Sequence, residues 1–311
     1  MTTPSDIQIP IMSISRRMFI TSTAAIASSI EAMAALKTPA AAGYALKIMA
    51  TNWGFQGSMA AFCSKAKKDG YDGIEVWLPD TTGEREEIFR EANKNELLVA
   101  LLYGGGDTDF TKHLAQFSEG ISAAAALKPM YINCHSGKDF YSFNQNKACI
   151  DFSLEVSAKT GIPVYHETHR GRALFAAHTT RDFLEKIPGL RLTFDVSHWC
   201  NVHESLLADQ QETMTAVLPK VSHIHARIGH AEGPQVNDPR APEWAQAVNA
   251  HFTWWDSIVD RFRKDGKPLT VLAEFGPPDY MPTLPYTRQA LSDQWNINVH
   301  MMQLLRKRYG S

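Results

Sequence analysis

Short apolar runs alternate with longer amphipathic ones eight times along this chain, and few folds accept that order. The runs "LKIMAT", "YDGIEVWL", "LLVALLY", "PMYINCH", "IPVYHET", "RLTFDVS", "VSHIHA" and "LTVLAEF" read as strands. They are short, apolar and bounded by turn-forming residues. Between them lie stretches with helical spacing, such as "SMAAFCSKAKKDG", closed by Gly70 at a C-cap position, and "GEREEIFREANKNE", with acids in its first turns. Later helices are expected over 201–217, 241–264 and 286–308. Strands separated by helices pair in parallel, because a parallel neighbour needs a long crossover. Eight such units predict an α/β fold, a single (β/α)8 TIM barrel over residues 35–311; barrels of this kind typically span about 250 residues. A doubly wound open sheet is the competitor. It would carry a glycine-rich phosphate loop after its first strand, where "TNWGFQGS" offers only Gly54 and Gly57. No linker, low-complexity tract or internal repeat interrupts the pattern.

The balance of 31 basic against 33 acidic side chains leaves a net charge of −2, so no bulk field draws nucleic acid or anionic lipid. Cys63, Cys134, Cys149 and Cys200 lack paired spacing and read as buried thiols, with one disulfide left open. The first residues are a separate matter. "SRRMFITSTAAIASSIEAMAA" sets Arg16 and Arg17 before a modestly apolar run that ends at Ala32-Met33-Ala34, a small-x-small cleavage pattern. Residues 1–34 therefore read as a cleaved twin-arginine signal, handed to the twin-arginine export machinery and not retained as a membrane anchor. The mature chain would begin near Ala35, in the periplasm or another exported compartment. No other stretch reaches the roughly 18 apolar residues of a membrane span.

The strands end in an unusual way. "VYHET" leads into Glu167, "TFDVSHW" into Asp195 with His198 three residues on, "VSHIHA" into His225, and "VLAEF" into Glu274. Barrel active sites form at these C-terminal ends. A lone buried carboxylate costs several kcal/mol, and three from adjacent strands would repel one another. A divalent cation among Glu167, Asp195, His225 and Glu274 removes the conflict. Three hard oxygens with one imidazole favour Mn²⁺, Mg²⁺ or Co²⁺, with Zn²⁺ left open. In "VSHIHARIGH" strand alternation puts His223, His225 and Arg227 on one face. Arg227, a fixed planar fork of donors, overhangs the site and suits a carboxylate, a keto oxygen or an enolate.

This arrangement, E…D-x-x-H…H-x-H…E at the fifth to eighth strands, resembles the xylose-isomerase-like TIM barrel superfamily, which holds sugar isomerases and epimerases as well as endonuclease IV. The long "HARIGHAEGPQVNDPRAPEW" and "EFGPPDYMP" look like an exported subgroup. The resemblance implies that Glu167, Asp195, His225 and Glu274 are metal ligands. It further implies that Glu167 and Glu274 exchange protons on opposite faces of a substrate, and that His198 meets a substrate oxygen. Two departures matter. Ketose 3-epimerases follow the seventh-strand histidine with Gly-Glu, where this chain has Ala226-Arg227. The Asp-x-His pair of endonuclease IV is replaced by Asp238-Pro239-Arg240, so a nucleic-acid substrate is disfavoured.

The reaction expected is metal-assisted proton abstraction next to a carbonyl of a sugar or keto-sugar, passing through an enediolate. Returning the proton gives an isomerase or epimerase; losing a β-substituent gives a lyase, and adding water a hydratase. A non-catalytic sugar-binding barrel is the reading from a different class. Glu75 and His135, read as ending the second and fourth strands, are further candidates for lining the substrate pocket. Trp53 and Trp77 suit stacking on a sugar ring, and Arg170 and Arg172 suit an anionic group. The aromatic, proline-rich insert over 231–256 reads as a lid or a subunit contact, which leaves a homo-oligomer open.

Overall fold

The computed structural model describes residues 39–310; the export signal expected at 1–34 lies outside them. Eight strands close into a parallel barrel in chain order: β1 Ala45–Ala50, β2 Gly73–Trp77, β3 Leu98–Gly104, β4 Ile132–His135, β5 Val164–Glu167, β6 Leu192–Phe194, β7 Val221–His225 and β8 Pro268–Leu272. Closure runs through β1 and β8, paired from Ala45 with Pro268 to Met49 with Leu272. The α/β barrel expected from the alternation is thus the fold. Its helices are α1 Met59–Asp69, α2 Thr82–Lys94, α3 Phe110–Ala126, α4 Phe143–Thr160, α5 Ala177–Lys186, α6 Val196–Val202, α7 Gln211–Val217, α8 Ala245–Asp265 and α9 Gln294–Tyr309.

Local chemistry sets the element ends. Ser58, Thr81, Asp109 and Asp293 cap α1, α2, α3 and α9, each side chain accepting a first-turn N–H. Ser142 and Gln145 form a reciprocal capping box on α4. Gly70, at φ 100°, ends α1 in the left-handed region, as the sequence anticipated. Two helices differ from expectation. The stretch expected over 201–217 is split, because Asp195 caps a helix that starts directly at the end of β6. The last helix begins at Gln294 and not near 286, since Pro285 is followed by Tyr286 and Arg288 at positive φ.

Two cores result. The larger lies between strands and helices and includes Phe62, Phe117, Phe194, Trp199 and Phe262. Trp254 and Trp255 belong to it, buried on α8, so this pair packs the scaffold and does not cover a site. A smaller core inside the barrel joins Met49, Ala100, Tyr131 and Leu272. All four cysteines are buried and free. Among the described residues no helix is long and apolar enough to cross a membrane.

Candidate metal centre

Above the small inner core the barrel interior turns polar. Glu167 is the last residue of β5, Asp195 follows β6, His225 ends β7 and Glu274 lies two residues past β8. One ligand atom from each lies within 4.8 Å of those from the other three, and all four residues are buried. Backbone ties hold them in place. The Thr168 hydroxyl accepts from the Asp195 N–H at 2.8 Å and donates to the Asp195 carbonyl at 2.9 Å, joining the ends of β5 and β6. Gln235 does the same for the loops after β7 and β8, accepting from Gly276 N–H at 2.7 Å and donating to its carbonyl at 3.1 Å. Gly276 has no room for a side chain there, because a Cβ would meet the Trp53 ring at 2.3 Å.

The hydrogen bonds assign the protons. Glu75 can only accept, so the 3.0 Å contact of its Oε1 with His225 Nε2 places the ring proton on Nε2. The other ring nitrogen, Nδ1, is then the basic one. It lies 3.0 Å from Glu274 Oε2 and 3.6 Å from Glu167 Oε2. Yet neither His225 Nδ1 nor Glu274 Oε2 has a hydrogen-bond partner. Buried polar atoms that crowd together without bonding are costly unless a third body lies between them. A proton can play that part. Burial opposes charging the His225 ring, but Glu274, Glu167 and Glu75 prevail and hold its pKa well above the ordinary histidine value. A divalent cation can play it too, and the donor set of three carboxylates with one imidazole fits such an ion.

Two other groupings offer metal-ligand atoms, Glu75 with His223 and His225, all buried, and His135 with Glu167 and the half-buried His169. In the first, the Glu75 carboxylate is already engaged. Glu75 Oε2 accepts from Tyr131 at 2.6 Å and pairs with His223 Nε2 at 3.0 Å, while Asn133 donates to Oε1 at 3.2 Å. In the second, His135 Nε2 is hydrogen-bonded to Glu167 Oε2 at 2.9 Å. The four-strand grouping is the one in which two unclaimed ligand atoms, His225 Nδ1 and Glu274 Oε2, face each other.

Of the residues expected to meet substrate, three lie around this centre and one beneath it. Arg227 is buried to 1% exposure, its Nη2 in direct contact with Asp195 Oδ2 and its Nη1 3.7 Å from Glu274. Burial works against that guanidinium, and Asp195 overcomes it, so the cation is held firmly charged. The same Nη2 donates to His198 Nε2 at 2.7 Å, which leaves the His198 proton on Nδ1, buried and without a partner. His135 lies above Glu167, edge-on to Trp77 at 5.3 Å. Glu75 is different: β2 runs two residues past it, so it sits lower in the barrel, under His225. Its carboxylate is engaged by His225, His223, Tyr131 and Asn133.

Some participants escaped the sequence reading. Asn133 donates to Glu167 Oε2 at 2.8 Å as well as to Glu75. Ser197 holds Asp195 Oδ1 through its N–H at 3.0 Å and through its hydroxyl; an Asp two residues ahead of a Ser at a helix start was a readable capping signal. Tyr280 stands edge-on to Trp53 at 5.0 Å and takes the Arg227 guanidinium over its face at 4.8 Å.

Known proteins agree with this architecture. The family model of the xylose isomerase-like TIM barrel matches residues 63–266. No curated protein matches in sequence. Among solved structures, an E. coli 3-keto-D-glucoside 4-epimerase in apo form aligns with TM-score 0.56 at 15% identity, over 85% of this chain and 100% of its own. The probable 3-DHS dehydratase of petrobactin synthesis from Bacillus anthracis aligns at 0.54 and 16%, over 84% and 98%. A sugar phosphate isomerase/epimerase from Parabacteroides distasonis aligns at 0.53 and 15%, over 84% and 98%. These likenesses concern the fold, whereas the family match spans most of the chain in sequence. The chain belongs to the xylose isomerase-like TIM barrel family.

Proposed function

We propose that this barrel is a divalent-metal-dependent isomerase or epimerase of a sugar or keto-sugar, acting by proton transfer next to a carbonyl. The observation that carries the reading is the crowding of Glu167, Asp195, His225 and Glu274, with His225 Nδ1 and Glu274 Oε2 unbonded at 3.0 Å. Those four residues would hold the ion, Mn²⁺ being the best match to the donors. Bound there, a divalent ion supplies Lewis-acid polarisation of a carbonyl oxygen, which acidifies the neighbouring C–H.

The chain's own groups do the rest. Glu167 and Glu274 project from β5 and from beyond β8, on separate sides of the cluster, and are the carboxylates that take and return the proton. Burial raises the Glu167 pKa, but His135 and His225 outweigh it and keep this carboxylate ionised, well below its usual range. His198, with its proton fixed on Nδ1, offers a hydrogen bond to a substrate oxygen. Arg227 sits where negative charge would develop, against Asp195 and 3.7 Å from Glu274. Trp53 and Trp77 give the rim flat apolar faces for a sugar ring, Trp77 being 44% exposed. The relatives named above include a keto-glucoside epimerase and a sugar phosphate isomerase/epimerase, in keeping with this chemistry.

The test is hydrogen exchange. Mn²⁺-saturated protein in D₂O should replace one carbon-bound proton of a keto-sugar, followed by NMR over a panel of free and glycosidic ketoses. Glu167→Gln and Glu274→Gln should each slow this by about 10²–10⁴-fold at saturating Mn²⁺. Absence of exchange across the panel, with the ion bound, would overturn the proposal.

A further inference from the structure

Three cations stand beyond the C-terminal ends of β4 and β5 with no acid in contact, Asp139 and Asp107 acting on Lys138 and Asp139 on Arg172 only from beyond ion-pair distance. Arg170 and Arg172 follow β5, and Lys138 follows β4. The Arg170 guanidinium lies over the Tyr280 ring at 5.2 Å, on the residue that also faces Arg227. One of its N–H groups donates to Asn201 Oδ1 at 3.1 Å. Arg172 is half-buried, and its single hydrogen bond is a long one to the Gly105 carbonyl at 3.4 Å. Among the described residues no carboxylate oxygen comes within 4.0 Å of any of the three. Some other partly buried arginines do meet acids, Arg306 pairing with Asp72 at 2.9 Å and Arg308 with Asp256 at 2.6 Å, while Arg261 and Arg85 rest on backbone carbonyls.

The cluster does not need all of these charges. Of its four buried carboxylates, Asp195 and Glu274 face the Arg227 guanidinium, while Glu75 lies beneath His225. With a divalent ion the four carboxylates and Arg227 would keep a single negative charge, which one of the three rim cations balances. Between rim and cluster runs a row of rings, His135 to His169 at 4.5 Å and His169 to His198 at 3.8 Å. That row includes the fully buried, unpartnered Nδ1–H of His198. Half-buried guanidiniums with unclaimed donors, near a fully buried donor lacking an acceptor, form an arrangement that an anion completes.

We propose that Arg170 and Arg172, with Lys138 beside them, form an anion subsite, and that the substrate carries a carboxylate or phosphate group remote from its reacting carbon. This rests on the proton-transfer reading only for where the carbonyl end of the substrate lies. The subsite selects acidic sugars over neutral ones by charge, and each arginine fork can grip two oxygens at once.

Three probes isolate the charge: D-fructose, D-fructuronate and D-fructose 6-phosphate, which share their ketone and differ at C6. Calorimetric titration of the Mn²⁺-loaded protein at low salt should show at least one acid binding tenfold or more tighter than fructose. The preferred acid identifies carboxylate or phosphate as the group recognised. The preference should shrink as salt rises, and in Arg170→Gln/Arg172→Gln it should fall to within about twofold. Fructose binding as tightly as both acids, or a preference that survives the double substitution, overturns the subsite. Because the wild-type salt titration needs no variant, a misfolded double mutant does not leave the question open. D₂O exchange on the same samples separates the two ideas. Exchange without charge preference removes the subsite alone, and charge preference with no exchange on these probes or across the wider ketose panel removes the proton-transfer reading alone.

Discussion

Glu75 offers the sharpest test of how the proposed centre is built. Its two oxygens accept from His225 Nε2 at 3.0 Å, from His223 Nε2 at 3.0 Å and from Tyr131 at 2.6 Å. Burial raises its pKa, but His225 and His223 overcome this and keep the carboxylate ionised, well below its ordinary range. An ionised carboxylate cannot donate, so both rings must point protons at it, and His225 keeps a basic Nδ1 for the ligand cluster. In Glu75→Gln the shape is preserved, but one oxygen becomes an NH₂ group. Either His225 or His223 then faces a donor. If it is His225, its proton moves to Nδ1 and the lone pair is lost from the cluster; in either case the negative partner that strengthens the ring is gone. Replacing a group of this kind weakens metal binding by about 10–100-fold, or about 1.4–2.7 kcal/mol. Calorimetric titration of metal-free protein with Mn²⁺ reads this directly, with circular dichroism to show that the barrel is folded. A folded Glu75→Gln protein whose Mn²⁺ affinity stays within twofold of the native value would refute the reasoning.

Three further outcomes are expected. Arg227→Met removes the cation from Asp195 and should cost the metal-free protein about 3–5 kcal/mol in urea unfolding, since it strands a buried carboxylate; Mn²⁺ should recover more stability in the variant than in the native chain, and a loss below about 1 kcal/mol would contradict this. His251 is pushed down to about 4 by burial, opposed by its bond to the Ala247 carbonyl, and its Nε2 accepts from the Gly229 N–H at 3.1 Å. The unfolded chain therefore takes up the proton first as pH falls below about 6.5, so this stabilisation is complete above that value and lost toward pH 4, amounting to about 3 kcal/mol; in His251→Gln the slope of unfolding free energy between pH 6.5 and 4 should be shallower by up to about 1.4 kcal/mol per pH unit, and equal slopes would refute the assignment. For export, N-terminal sequencing of the secreted protein should begin near Ala35, and Arg16→Lys/Arg17→Lys should leave the precursor in the cytoplasm.

Much of the scaffold could be read in one dimension. Strand alternation and helical spacing are local periodicities, so the eight units, and the three acids and one histidine that follow the last four apolar runs, stand out in a single pass. Parallel pairing followed from the helices between strands, and the barrel from their number. The roles of polar side chains were less visible, because a strand shows its own period but not its neighbour's register. Glu75 shares an environment with His225 and Tyr131, at sequence separations of 150 and 56 residues. Nothing in "GIEVW" says that its acid lies under a histidine and not at the rim. Tyr280 and Asn133 were passed over for the same reason.

The linear order of residues was enough to establish the architecture, because backbone hydrogen bonding and side-chain period are properties of short segments. It was also enough to bring Glu167, Asp195, His225 and Glu274 to one end of a barrel, since each follows the apolar run that carries it there. Which atoms meet was settled by closure of the cylinder, which sets the stagger between strands. Closure put Arg227 against Asp195, assigned the His225 proton to the Glu75 side, and brought Nδ1 within 3.0 Å of Glu274. Buried charge is balanced through space and not along the chain, so its accounts appear only when the strands are brought together.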